Sequence, residues 1–463
     1  MIKFDDTIAA PATVPGTGAV TIIRVSGPNA LSIVDAVVSL KHGTVSAADG
    51  YSLHYGAVSG LDDVLVSVFR APHSYTGEDA VEISCHASEY IASMLLSRLF
   101  EAGARAAEPG EFTRRAFLNG KMDLSQAEAV ADIISSNTEA AHRVAFAQLK
   151  GGFSSELDTL REQLLEMASL LELELDFSEE DVEFAQRDHL CILLDDAIAH
   201  IDRLTSSFRE GNAIKRGVPV AIVGAANSGK STLLNALLGE DRAIVSDVAG
   251  TTRDTIEETL NIGGILFRFV DTAGIRDASE HIEKLGIERT FDAISKAQIV
   301  LGVLDGTLPE SEFQNNVRMI EKAASGGEND LIFLVNKADL DVNKNVNTLN
   351  NIVSLSDNKH IVLEISAKSG LGLSSLKDHL YSLEKELVSN QNTTFVTNIR
   401  HYNALLEAAA FLRNSRTALS ASLPSDLVAE DLRLALHSLG SITGTVTDSD
   451  ILQNIFSKFC IGK

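Results

Sequence analysis

The chain is expected to fold as a multidomain α/β + α protein: an N-terminal α+β domain, then a helical domain into which an α/β unit with a mainly parallel sheet is inserted. Three observations carry that expectation. Short apolar runs alternate with Gly and Pro punctuation up to about residue 118. Helical apolar spacing begins near Ser125 and returns after residue 388. Between those helical stretches, β-rich runs alternate with helix-like segments, the signature of a largely parallel sheet.

With 463 residues, of which 45% are hydrophobic, the chain exceeds one ordinary core and can bury several. No run approaches the roughly 18 apolar residues of a membrane span, and the basic-then-apolar pattern of a signal peptide is missing, so a cytoplasmic protein without a membrane partner is expected. Cys85, Cys191 and Cys460 lie far apart and match neither a disulfide framework nor zinc-ligand spacing. The net charge of -25 argues against non-specific coating of nucleic acid, so DNA is not an expected partner and any RNA contact must be local or shared with a basic partner. The acidity is concentrated in residues 121–215, which carry 20 Asp+Glu against 8 Lys+Arg, whereas residues 391–463 carry 6 of each.

Taken in order, residues 1–119 contain GAVTIIRVSG, YSLHYGAVSG, DDVLVSVFRAP and AVEISCH, followed by a helix-like stretch near 87–102. Residues 120–215 read as the first part of the helical domain. Ser125 and Glu128 are spaced as a capping box, and Leu157, Leu160, Leu164, Ala168, Leu171 and Leu175 form an apolar stripe. The acidic run LELELDFSEEDVEF reads either as a binding surface for something basic or, as such runs usually are, as a solvated helix face and the loop after it. Residues 216–388 hold VPVAIVG, ILFRFVD, IVLGVLD, LIFLVN and IVLEIS, the α/β unit. Residues 389–463 resume helical spacing. A helix is expected from Ser425 behind Pro424, burying Leu427, Leu432, Ala435 and Leu439 and stopping at Gly440. Both helical segments need partners for their stripes, which places the α/β unit as an insertion in one helical domain.

The chemistry concentrates in that insertion. GAANSGKS, Gly224 to Ser231, follows a strand and opens a helix, the context of a phosphate-binding loop. Gly224 and Gly229 let the backbone approach phosphate, Lys230 reaches the β- and γ-phosphates, and the Ser231 hydroxyl suits Mg2+. DTAG, Asp271 to Gly274, puts a carboxylate at a strand's end near the metal and an N–H near the γ-phosphate. In NKAD, Asn336 to Asp339, the Asp339 carboxylate can accept from both N1–H and the N2 amino group of guanine, a donor pair adenine lacks. In SAK, Ser366 to Lys368, the Ala367 N–H can donate to guanine O6. GTTRD, Gly250 to Asp254, supplies Thr252 as a switch-loop ligand of Mg2+ and the γ-phosphate. The expected fold is therefore a Ras-like P-loop GTPase unit, with GTP preferred over ATP.

Many small GTPases place a glutamine just after DTAG to orient water; here the residue is Ile275. Glu283 is the candidate to act through water, against the alternative of a surface glutamate opening a helix. The Asn227 side chain could hold a monovalent cation beside the phosphates, or simply stabilise the loop as a turn residue.

Together these segments resemble the tRNA-modification GTPases of the MnmE (TrmE) family over nearly the whole chain. DTIAAPATVPGTGAVTIIRVSG, SYTGEDAVEISCH and PGEFTRRAFLNGKMDLSQAEAVADII resemble its N-terminal domain and junction, and FCIGK resembles its terminal motif. Two departures are GAANSGKS, where a proline often precedes the asparagine, and CHAS, where CHGG is common. The resemblance implies that the N-terminal domain is a tetrahydrofolate-binding, homodimerising module. By that resemblance Arg24, Glu82, Lys121 and Lys463 would line a site for a one-carbon tetrahydrofolate in its 5-formyl or 5,10-methylene form, whereas residue pattern alone favours a strand-edge ion pair for Arg24 and Glu82 and solvent exposure for Lys121 and Lys463.

It further implies K+ held by Asn227, Ser246, Val248 and Thr251, Mg2+ held by Ser231 and Thr252, and Glu283 orienting water. GTP would be held by Asn227, Ser228, Gly229, Lys230, Ser231 and Thr232; by Ser246, Asp247, Val248, Ala249, Gly250, Thr251 and Thr252; by Asp271, Thr272, Ala273 and Gly274; and by Asn336, Lys337, Asp339, Ser366, Ala367 and Lys368. Lys230, Asn227 and Glu283 are the catalytic expectations. The implied task is installation of an aminomethyl or carboxymethylaminomethyl group at C5 of wobble uridine in certain tRNAs, with an FAD-carrying partner of the MnmG (GidA) type. Cys460 in the terminal motif is either a nucleophile, for which the sequence shows no histidine beside it, or a structural or positioning residue, the favoured reading since cysteines commonly serve as small buried apolar residues. The rivals are a ribosome-assembly GTPase of the Era or Der type, which should carry a basic RNA module, and a dynamin-like GTPase, which should carry a lipid-facing segment. A folate-binding protein with a vestigial nucleotide site is the third, against which Lys230, Ser231, Asp271 and Asp339 all speak.

Overall fold

The computed structural model describes residues 5–176, 187–240, 258–269, 294–325, 329–340, 342–355, 360–385, 394–421, 423–446, 449–457, 459–460 and 462. The chain forms two compact units, one of residues 1–135, 145–202 and 403–463, the other of residues 136–144 and 203–402.

The first unit opens with strands β1 (Ile8–Pro11), β2 (Val20–Ser26), β3 (Ser39–Leu40), β4 (Ser52–Val58), β5 (Asp62–Phe69), β6 (Ala80–His86) and β7 (Arg105–Ala106), ordered β3-β4-β5-β6-β2-β1-β7. Side chains alternate between faces along each strand. Val64, Val66 and Val68 of β5, with Ile23 and Val25 of β2, therefore pack on α1 (Ala30–Val37) and α2 (Glu89–Glu101). The same alternation leaves Arg24 and Glu82 on the other face, opposite each other in the β2–β6 register. Helix α3 (Glu111–Leu118) is tied to the sheet's edge by charge. Fully buried Arg115 meets Glu111 at 3.0 Å, Asp6 at 2.8 Å and Glu78 at 3.1 Å.

The helical part comprises α4 (Leu124–Ser135), α5 (Glu139–Leu149), α6 (Gly152–Asp176), α7 (Arg187–Ser206) and the helices Ile399–Ser420, Ser425–Thr443 and Ser449–Phe456. Helix α6 buries Leu157, Leu160, Leu164, Ala168 and Leu171, and it packs along helix Ser425–Thr443. Two sequence expectations are corrected here. The cap of α4 is Asp123, whose Oδ1 accepts from Gln126 N while Gln126 Oε1 accepts from Asp123 N, both at 2.9 Å. Starting the helix there buries Leu124, and Ser125 turns inward to Ser154. Helix Ser425–Thr443 runs through Gly440 and ends at Gly444 in the left-handed conformation; Leu427 is exposed and Val428 takes its core position. The buried series 428, 432, 435, 439 and 442 keeps the 3.6-residue period, which Leu427 would break.

In the second unit, α8 (Phe208–Arg216) leads into a six-stranded sheet: β8 (Val218–Val223), β9 (Glu258–Ile262), β10 (Ile265–Phe269), β11 (Ile299–Asp305), β12 (Asp330–Asn336) and β13 (Ile361–Glu364). Their order is β13-β12-β11-β8-β10-β9, with only the edge pair β9–β10 antiparallel. Both faces are covered, so central strands are apolar on both sides. Val218, Val220 and Ile222 join Leu233 and Leu237 of α9 (Lys230–Glu240) and Leu376 and Leu380 of helix Leu373–Glu384. Ala221 and Val223 join Phe313, Val317 and Ile320 of helix Glu310–Ala324 and Leu349 of helix Asn343–Leu355.

The two ends of this unit are fastened together. Val396 N donates to Ser207 Oγ at 3.1 Å, and the Phe208 and Tyr402 rings stack at 4.4 Å. Gly211 has no room for a Cβ, because the Val396 carbonyl lies against it.

Candidate functional site

The loop Gly224–Gly229 leaves β8 at the carboxyl end of the sheet and runs into α9. Glycine is required twice. At Gly224 (φ +155) a Cβ would collide with the Val303 carbonyl, and at Gly229 (φ +103) with the Asn336 side chain. Asn227, also at positive φ (+60), is exposed at the loop's tip. Lys230 Nζ folds back over the loop, donating to the carbonyl oxygens of Gly224 at 2.9 Å and Ala225 at 2.8 Å. Burial pushes its ammonium below the usual lysine range. Ser231 and Thr232 are exposed on the first turn of α9, where helix N–H groups point at the loop.

Two further loops arrive from β12 and β13. Asn336 Nδ2 donates to the Ser228 carbonyl at 2.8 Å, and Asn336 Oδ1 accepts from Ala367 N at 3.0 Å. Ser366 Oγ donates to Asp339 Oδ1 at 2.7 Å, and this bond first among its neighbours holds the Asp339 carboxyl below the usual range. Asp339 is thus an exposed, ionised acceptor near Ala367, and Lys368 is exposed beside it. The structure brings together Asn227, Ser228, Gly229, Lys230, Ser231, Asn336, Lys337, Asp339, Ser366 and Ala367 at the carboxyl edge of a parallel sheet, where α/β folds bind nucleotides. Ser246, Asp247, Val248, Ala249, Gly250, Thr251, Thr252, Asp271, Thr272, Ala273, Gly274, Glu283 and Lys463 lie outside the described residues. Asp305, which ion-pairs with Lys337, belongs to none of the sequence motifs; its signal is an acid closing the β-rich run IVLGVLD.

A second cluster lies on the N-terminal sheet. Arg24 donates to Glu82 Oε1 through Nε at 2.9 Å and Nη2 at 2.7 Å, and Nη1 reaches the Gly462 carbonyl at 3.4 Å. Its guanidinium lies 5.4 Å from the Tyr75 ring centroid and 5.6 Å from that of Phe112. Lys121 Nζ donates to the Pro72 carbonyl at 2.9 Å. The terminal segment therefore comes to Arg24, with Gly462 pressed against the Pro11 carbonyl and Phe456 and Phe459 buried on Leu124 and Ala127. Cys460 is exposed; Cys85 is buried, which together with Asp62 pushes its thiol up to about 11.

A glycine-bordered phosphate loop, an ionised aspartate held by serine and one asparagine joining both, on a doubly covered and mainly parallel sheet, define a nucleotide-binding protein of the phosphate-loop class. The family model described as "MnmE helical domain" matches residues 124–460, and that described as "GTP-binding protein TrmE N-terminus" matches residues 7–121. The tRNA modification GTPase MnmE of Flavobacterium johnsoniae is 49% identical, covering 99% of both chains, and that of Bacteroides fragilis is 50% identical, again covering 99% of both. That of Christiangramia forsetii is 49% identical over the full length of both. The chain belongs to the tRNA modification GTPase MnmE family. Among solved structures, the G domain of the T. maritima FeoB iron transporter is similar at 20% identity, the match covering 36% of this chain and 97% of that one with a TM-score of 0.27. No described helix is long and apolar enough to cross a membrane.

Proposed function

We propose that this protein is a potassium-activated GTPase that works with an FAD-dependent MnmG-type partner on tRNA. Together they install the aminomethyl or carboxymethylaminomethyl group at C5 of the wobble uridine. The observation that carries the reading is the Asn336 amide, which joins the phosphate loop to the guanine-reading loop in a chain of this family. The proposed domain limits are 1–119, 120–215, 216–388 and 389–463.

In this reading the N–H groups of residues 227–232 hold the phosphates, and Lys230 moves from the Gly224 and Ala225 carbonyls to the β- and γ-oxygens. That transfer is cheap, because the loop carbonyls hold the ammonium only by exchangeable hydrogen bonds. Asp339 reads guanine N1–H and N2, and Ala367 N–H reads O6 while Asn336 fixes its direction. Ser231, exposed at the helix start, fits Mg2+ together with Thr252. Asn227, held at the loop's tip by its positive φ, fits K+ together with Ser246, Val248 and Thr251. Such cations supply electrostatic stabilisation of charge developing on the phosphates. Glu283 orients the attacking water.

Arg24, Glu82, Lys121 and Lys463 form the folate site. The Arg24–Glu82 pair, a cation among two aromatic rings, fits a flat pterin, whose amino group a carboxylate can accept from. The 5-formyl or 5,10-methylene form would be the one-carbon source. The functional state is a cytoplasmic homodimer, and FAD resides on the partner.

The test is mass spectrometry of wobble-uridine nucleosides from a deletion strain complemented with wild-type or Lys230→Ala protein. C5-aminomethyl-type uridines should vanish on deletion and return only with the wild type. Their persistence in the deletion strain would remove the proposal.

A further inference from the structure

We infer that Asp305 is the positioning residue of the guanine site: it holds the Lys337 ammonium, so that the lysine presents its methylene stem to the base. This rests on the reading of Asn336–Asp339 as the guanine loop.

The β11–β12 register sets Asp305 directly beside Asn336, so both strands end at one level and Lys337 leaves the sheet next to Asp305. Lys337 then adopts φ +69, a left-handed conformation that a non-glycine residue holds only where surroundings fix it. Its chain turns back and places Nζ 2.5 Å from Asp305 Oδ2.

Asp305 is itself immobilised. Its other oxygen accepts from Thr307 N at 3.0 Å and Thr307 Oγ1 at 2.7 Å. Gly306 N donates to the Asn336 carbonyl at 3.0 Å, and Asn345 Nδ2 spans the Gly306 and Leu308 carbonyls, both at 2.8 Å. No Cβ fits at Gly306, where Val342 and the Asn336 carbonyl close in. The carboxylate is only 12% exposed, so its charge is well shielded from screening by solvent.

The division of labour follows from charge. A lysine with a free ammonium beside a base would seek the nearest anion, including the Asp339 carboxylate or a phosphate. Pairing with Asp305 balances its charge and fixes its ammonium end in place. Asp339, hydrogen-bonded by Ser366 instead, keeps its charge for the ligand. The site thus uses two aspartates for opposite ends, one to silence a cation and one to read donors.

The experiment measures dissociation of N-methylanthraniloyl-GDP from full-length protein carrying Asp305→Asn, Thr307→Val, Lys337→Met, the Asp305→Asn/Lys337→Met pair, or Asp339→Asn. Asp305→Asn should raise Kd about tenfold, and should raise the KM for GTP more than it lowers kcat. Thr307→Val, which disturbs only the other oxygen, should change Kd far less. In the Lys337→Met background Asp305→Asn should add nothing, the mark of a direct coupling. A wild-type Kd for Asp305→Asn, or an unchanged Asp305→Asn effect in the Lys337→Met background, overturns the proposal. Asp339→Asn should turn preference from GTP to XTP; if it does not, the guanine-loop reading itself falls, whatever Asp305→Asn does.

Discussion

Asn336 and Ser228 are 108 residues apart, yet the Asn336 amide donates to the Ser228 carbonyl at 2.8 Å while its oxygen takes the Ala367 N–H. One side chain therefore fixes the spacing between the phosphate and base halves of the site. Asn336→Ala removes two hydrogen bonds of about 0.5–1.5 kcal/mol each. GDP affinity by fluorescence titration should fall about tenfold or more, and GTP turnover at low substrate should fall with it. Unchanged affinity would show that the two halves are held apart by the sheet alone.

Asn227 stands exposed at the tip of the loop with φ +60. If its side chain holds K+, phosphate release should be faster in KCl than in NaCl at equal ionic strength. Asn227→Ala should erase the difference. Equal wild-type rates in the two salts would count against the cation site.

Arg115 is fully buried among Glu111, Asp6 and Glu78. Arg115→Met leaves the Glu111 carboxylate buried with less compensation and should destabilise the N-terminal unit by about 3–5 kcal/mol. Hydrogen exchange of α3 and β1 peptides in the full chain would report it.

The same network gives a pH dependence. Burial raises the Asp6 and Glu111 pKa values, but hydrogen bonds from Arg105 and Arg115 outweigh it, so both carboxyls sit below their ordinary 3.8 and 4.5. A depressed carboxyl stabilises fully above its unfolded value and loses that contribution as pH falls through its folded value. The unit should hold its stability from neutrality to about pH 4.5 and lose it below; Glu111→Gln should flatten that descent in exchange measurements.

The three thiols should separate cleanly. Cys460 is exposed, Cys191 half-buried, and Cys85 buried with its thiol pushed up to about 11. Iodoacetamide at pH 8 should label Cys460 first and Cys85 only after denaturation, as read by peptide mass spectrometry. Early labelling of Cys85 would contradict its placement in the sheet core.

What the sequence made legible was local. Gly224 and Gly229 sit where a strand–loop–helix context demands missing side chains, and NKAD and SAK each close an apolar run. Asp305 escaped because its meaning depends on a lysine 32 residues later, brought alongside only by strand pairing. Arg115 looks like surface charge within FTRRAF. Its burial depends on Asp6 and Glu78, 109 and 37 residues earlier, meeting at one point. Helix ends slipped for a simpler reason: Ser125 and Gly440 carry the usual signals, but burial of Leu124 starts one helix behind Asp123, and burial of Ile442 and Thr443 carries the other on to Gly444.

The clasp of Ser207 and Gly211 with Val396, closed by the Phe208–Tyr402 stack, has a bearing on what the long excursion between them costs. A chain that departs and comes home through one doorway can accommodate a whole enzyme without prising its own entrance apart. The host pays only the closure entropy of a long loop, which grows slowly with length. Ser207 and Val396 hold the ends of the span together, so a change of length between them falls on the span and leaves the fastening in place.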